Sequence, residues 1–140
     1  MHSNMSTTSF EIKTQRRSQM INITNHAQQF LEKSGITQGL LTVFVPHTTA
    51  GVTINENADP DVVHDVLESL ERIAPWQQDF YQHNEKNSAA HVKSSLMGCS
   101  LSVPIKDGRM VLGTWQAIYF CEFDGPRSRR CYLNVTGERE

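Results

Sequence analysis

No apolar run in this 140-residue chain approaches the ~20 residues that a membrane-spanning helix requires. The opening MHSNMSTTSFEIKTQRR lacks the apolar centre of a secretion leader, so a cytoplasmic setting without a membrane partner is expected. Basic residues are not in excess, with 13 Lys and Arg against 15 Asp and Glu. That balance argues against a nucleic-acid partner, which would call for a strongly basic domain. Cysteine is scarce as well. Cys99, Cys121 and Cys131 are odd in number and lack the paired spacing of a zinc site. They read as small buried or half-buried thiols in a reducing compartment. Internal repeats, low-complexity segments and interdomain linkers are missing too, which leaves one domain over 1–140, with 1–8 as a flexible tail.

What is present alternates between strand and helix patterns. SFEIKT (9–14) and QMINIT (19–24) alternate apolar and polar residues as half-buried strands do. A helix is expected from Thr24 or Asn25 to the stop at Gly35. LLTVFVP (40–46) reads as a central strand and VTIN (52–55) as a second one. Asp59-Pro60 then opens a helix, with aspartate as cap and proline at the first helical position. Segment 76–88 has no period and reads as loop, followed by a short helix capped by Asn87 or Ser88 and stopped at Gly98. The last third is β structure, with an Asp107-Gly108 hairpin turn and a second turn at Asp124-Gly125-Pro126. The order predicts an α+β domain with antiparallel sheets and about three helices.

Polar chemistry concentrates in PHTTAGVTINENADPD, residues 46–61, and downstream in His83, Glu85 and His91. Imidazole is the common biological metal ligand and the usual acid–base group near neutral pH. If the fold unites His47, His83 and His91, the set would suit zinc or another first-row divalent ion. Each residue also has a plainer role. His47 could close the turn after Pro46, His83 could be an exposed loop residue, and His91 could lie on a solvated helix face. His64 reads as surface, His26 as neutral and incidental, and His2 as tail. Asp59 and Asp61 are accounted for as helix-start residues. Glu56 is harder to dismiss, and Glu122 could face outward or into a cleft. Arg127, Arg129 and Arg130 are either a protected sheet edge or an anion site, aided by backbone donors near Asn87-Ser88.

The blocks PHTTAGVTINENADPDVVHDV, YQHNEKNSAAHVKSSLMG and LSVPIKDGRMVLGTWQAIYFCEFDGPRSRR resemble the YjbQ family, also called UPF0047, over nearly the whole chain. The resemblance implies a compact α+β fold assembled as a homotrimer, with histidines and acidic residues in a cleft. It also implies a thiamine-phosphate synthase activity, associated with bacterial members, that joins a pyrimidine pyrophosphate to a thiazole phosphate. Carried over, His47, Asn55, Glu56, Asp59, His83, Glu85 and His91 fall in the site. Trp115, Gln116 and Glu122 become support or walls, and Arg127 to Arg130 an anion contact. Two departures stand out. Segment 86–90 is a shorter form that lacks a pair of aspartates found in some members, and Ala117 replaces a glycine that usually follows LGTWQ.

The expectation is a metal-dependent enzyme acting on a small phosphorylated or pyrophosphorylated molecule. His47, His83 and His91 would hold zinc, magnesium or manganese, with Glu56 or Glu85 as base or orienting group. Asn55, Trp115, Gln116, Arg127 and Arg129 would bind substrate, the indole stacking on the pyrimidine in the thiamine version. The alternatives are a non-catalytic trimer that holds a metabolite or anion, and a structural knot of histidines between subunits.

Overall fold

The structure is a computed structural model that describes residues 4–140. Its elements run β1 (Asn4–Lys13), β2 (Gln19–Asn22), α1 (Thr24–Ser34), β3 (Ile36–Phe44), β4 (Ala50–Glu56), α2 (Pro60–Ile73), α3 (Ser88–Met97), β5 (Ser100–Lys106), β6 (Arg109–Met110), β7 (Gln116–Glu122) and β8 (Ser128–Arg139). This is the α+β order read from the sequence, with three helices. The expected tail is the main departure. His2 lies outside the described residues, but residues 4–8 are strand, paired with 133–137 at the far end of the chain.

The strands form two antiparallel sheets. Sheet A has the order β1-β8-β3-β5-β6 and sheet B the order β2-β7-β4. Between them lies the larger core, where Leu41, Val43, Leu133 and Val135 of sheet A meet Val52, Ile118 and Phe120 of sheet B, with Ala27 and Leu31 of α1. A second core covers the other face of sheet B, where Ala117, Tyr119 and Cys121 pack against Leu70 of α2 and Ala90 of α3. Strand β7 is therefore buried on both faces, which is why QAIYFCE reads as a continuous apolar run. Ala117 belongs to this second core, so its methyl group packs there.

Local chemistry sets the element ends. Asp59 accepts the Asp61 N–H at 2.9 Å through its side chain, and Pro60 stands in the first turn of α2. Gly35 ends α1 with φ 73°, a left-handed position that costs glycine little. Asp107 and Gly108, with φ of 52° and 76°, form the turn between β5 and β6. The caps expected for α1 and α3 differ. Thr24 accepts the Ile118 N–H instead of capping its own helix, and Asn87 donates to Asp124 Oδ2 at 2.8 Å.

Candidate functional site

His47 lies in the connection 45–49 between β3 and β4, and α3 packs against that connection. Two contacts fix the packing. The Ser94 hydroxyl donates to the Thr48 carbonyl at 2.6 Å, and the Val52 N–H donates to the Gly98 carbonyl at 3.1 Å. At Gly51 a Cβ would fall 2.6 Å from that Gly98 oxygen, so only glycine allows the approach. The result is a cavity of about 490 Å³ that His47, His91, Ser94, Ser95 and Cys99 help to line. His91 also faces His83, their rings 5.3 Å apart and nearly perpendicular, and the two line a neighbouring cavity of about 360 Å³ with Ser88.

The His47 imidazole is held by β8, the neighbour of β3 in sheet A. Its Nε2 accepts the backbone N–H of Arg130 at 2.9 Å, which requires an unprotonated Nε2 and places the ring hydrogen of the neutral form on Nδ1. Burial, then the positive charge of Arg129, holds its pKa below the usual histidine value.

Arg129 itself is buried. Its Nε donates to Glu122 Oε1 at 2.8 Å, and its Nη2 donates to Glu122 Oε2 and to Thr49 Oγ1. Glu122, with no exposed surface, also accepts from the Thr14 hydroxyl and from the backbone N–H groups of Phe123 and Asp124. Burial pushes the Glu122 carboxyl up, but Arg129 and these hydrogen bonds outweigh it and leave the group below its ordinary value. The pair joins β7 of sheet B to β8 of sheet A beneath the histidine.

The expected site residues fall into three groups. His47, His83 and His91 are near one another, but as successive neighbours. Among the described residues, no group of three or more His, Cys, Asp or Glu side chains is arranged to hold a metal. Within one chain the donor set thus does not make up a site for the expected zinc, magnesium or manganese ion.

Asn55, Glu56, Trp115 and Gln116 form a second group at the opposite end of sheet B, where Glu56 pairs with Gln116. Glu56 is six positions beyond Ala50, roughly 20 Å along an extended strand. Glu56 is therefore not beside His47 within the chain. Trp115 is 63% exposed, and Gln116 Oε1 accepts the Gly113 N–H at 2.8 Å. Neither lines the histidine cavities.

The third group is spent or solvated. Arg127 donates to the Asp124 carbonyl and carboxylate, and Arg129 is committed to Glu122 and Thr49. Glu85 is an exposed loop residue.

Some participants carried a signal that the sequence reading passed over. Arg129 stands two, four and six residues before Cys131, Leu133 and Val135, so strand alternation alone places it inside. Lys93 follows Ala90 by three positions, on the buried stripe of α3, and donates to both Glu71 carboxylate oxygens at 3.2 and 3.3 Å. Cys99 is exposed, against expectation, and borders the His47 cavity. Cys121 and Cys131 are buried as expected, and burial pushes both thiols up to about 12.

Residues 8–138 match the family model described as UPF0047 protein YjbQ-like. UPF0047 protein YugU of Bacillus subtilis is 53% identical over 127 residues, covering 91% of this chain and 96% of that protein. UPF0047 protein MJ1081 of Methanocaldococcus jannaschii is 48% identical and covers 93% and 94%. Among solved structures, a YjbQ/UPF0047 protein of Clostridium acetobutylicum superposes with a TM-score of 0.90 at 49% identity, covering 91% of this chain and 98% of that one. A protein of unknown function from Sulfolobus solfataricus superposes with a TM-score of 0.94 at 31% identity, covering 98% and 100%. The chain that brings His47, His83 and His91 together around α3 is thus a member of the uncharacterised YjbQ/UPF0047 family.

Proposed function

We propose that the groove between the β3–β4 connection and α3 takes a small phosphorylated or pyrophosphorylated molecule. One observation carries this reading. His47 and His91 line a shared cavity of about 490 Å³, and His47 is oriented through Nε2 beside the buried cation Arg129. With Nε2 engaged by Arg130, His47 offers Nδ1–H, a donor suited to a phosphate oxygen or to a departing phosphate. Among the described residues no carboxylate lines this cavity, so proton transfer falls to the two imidazoles.

Condensation of a pyrimidine pyrophosphate with a thiazole phosphate belongs to this class and is the first reaction to assay. Titration calorimetry with pyrophosphate gives the direct test of the site. The His47→Ala chain should bind at least tenfold more weakly than the unaltered protein, whereas equal affinity would reject the reading. The absence of a carboxylate also favours a second reading, in which the protein holds its anion without turning it over. Saturable binding with no product from a phosphoester panel or the thiamine precursors would select it.

Self-association into a homotrimer is part of the proposal. Along the outer face of sheet A, Phe44 pairs with Tyr132, and Leu40 shares a row with Thr136 and Met5. All four large side chains are more than 40% exposed, a patch of the kind that protein contacts cover. Light scattering should return three times the 15.9 kDa chain mass. A monomer, or a trimer unaffected by Phe44→Asp, would remove this face from the assembly.

A further inference from the structure

The cavities around α3 are neighbours that share histidines in their linings. His91 borders both the His47 cavity and the cavity it lines with His83, and His83 in turn borders a recess of about 580 Å³ in the loop after α2. This last recess has a different chemistry from the other two. Its lining includes two anchored aromatic side chains, Trp76 and Tyr81. The Arg17 guanidinium lies 4.1 Å over the Trp76 ring, while the Tyr81 hydroxyl donates to the Pro75 carbonyl at 2.9 Å and accepts from Gln78. Around them stand Gln77, Gln82 and Asn84, whose side-chain amides have no hydrogen-bond partner among the described residues. Each amide offers two donors and an acceptor. Among the described residues no carboxylate lines the recess, and its lining includes Lys86, whose φ is 62° and whose N–H donates to the His83 carbonyl. A non-glycine residue kept in that region is a cost that folds tolerate mainly where a particular shape is needed.

Two anchored aromatic side chains beside unspent amides suit a flat ring whose edge carries donors and acceptors. We infer that this recess is a subsite for the heteroaromatic base of a nucleoside phosphate, whose phosphate lies at the adjoining histidines. The inference rests on the anion reading above and extends it along the groove. Base-to-aromatic stacking supplies affinity with any base, and the three amides discriminate among base edges.

The test is calorimetric titration of the full chain with AMP, GMP, CMP, UMP and ribose 5-phosphate. At least one nucleotide should bind tenfold or more tightly than ribose 5-phosphate. A triple variant, Gln77→Ala, Gln82→Ala and Asn84→Ala, removes only exposed side chains without protein partners and should keep the fold. It should abolish the nucleotide advantage and leave ribose 5-phosphate affinity within twofold. Equal binding of all five ligands would overturn the base subsite and leave the phosphate reading standing. A nucleotide advantage that survives in the triple variant would also overturn it. Binding of none of the five would defeat both readings together.

Discussion

The two ends of β4 carry the two halves of the polar stretch 46–61, and they are held in different ways. At the His47 end every anchor is long-range. Arg130 N–H reaches His47 across 83 positions, and Arg129 reaches Thr49 across 80. At the Glu56 end most side-chain bonds are local: Asn55 accepts the N–H of Glu56, Asp59 that of Asp61, and Gln116 that of Gly113. The first end can place its imidazole only when β8 has paired beside β3 and Arg129 has met Glu122 of sheet B. The second orients its side chains through neighbours in sequence, while its backbone is held by β7. Density of polar residues in a sequence is therefore a poor guide to a site when an extended strand runs through the middle of it.

The largest expected difference between the ends is thermodynamic. Replacing Glu122 by Gln leaves Arg129 buried without its counter-charge and should cost about 3–5 kcal/mol, read from urea unfolding. Glu56→Gln at the other end should stay within about 0.5 kcal/mol. Comparable losses would mean that the Glu56 end is also structurally committed.

Binding gives the next contrast. Where His47→Ala loses at least tenfold in pyrophosphate affinity, Glu56→Ala should leave it unchanged, and a matching loss would show that both ends serve one ligand. A smaller effect is expected at the α2 cap. Asp59→Ala should cost about 1 kcal/mol through the lost side-chain bond, without altering binding.

The finest test is pH. His47 has its folded pKa below its unfolded value, so its contribution to stability is complete above about 6.5, the unfolded pKa. Below that, the unfolded chain takes up the proton first, and the contribution is lost as the pH falls toward the folded value. The melting temperature should therefore decline more steeply below pH 6.5 in the unaltered protein than in His47→Gln. Identical profiles would show that the imidazole does not titrate differently on folding.

Much of the fold was legible because its signals are local. Asp59-Pro60, Gly35 and Asp107-Gly108 each act within a few residues, and the apolar spacing of α2 gives a helix by itself. Residues 4–8 were not legible as strand, since NMSTT lacks apolar alternation and is held by pairing with β8. In the site, the histidines were found by residue type alone. Glu122 and Arg129 were named as a wall and an anion contact, and their pairing with each other went unread although the period of Arg129 with Cys131 and Leu133 pointed inward; Lys93 was passed over. Glu56 was grouped with His47 because the two share one polar stretch and one family motif, and strand β4 runs between them.

Adjacent arginines at the start of β8 have a consequence for how the chain finds its register. Arg129 points into the core toward Glu122, while Arg130 points outward to Ser9 and lends its N–H to His47. A slip of one residue would exchange the inward and outward sets of the whole strand. Arg130 could still offer a guanidinium to the core, but Cys131, Leu133 and Val135 would turn to solvent and the N–H beneath His47 would be lost. A misregistered sheet is thus also one that cannot orient the imidazole, so the groove acts as a checkpoint on its own assembly: only correctly threaded molecules acquire it.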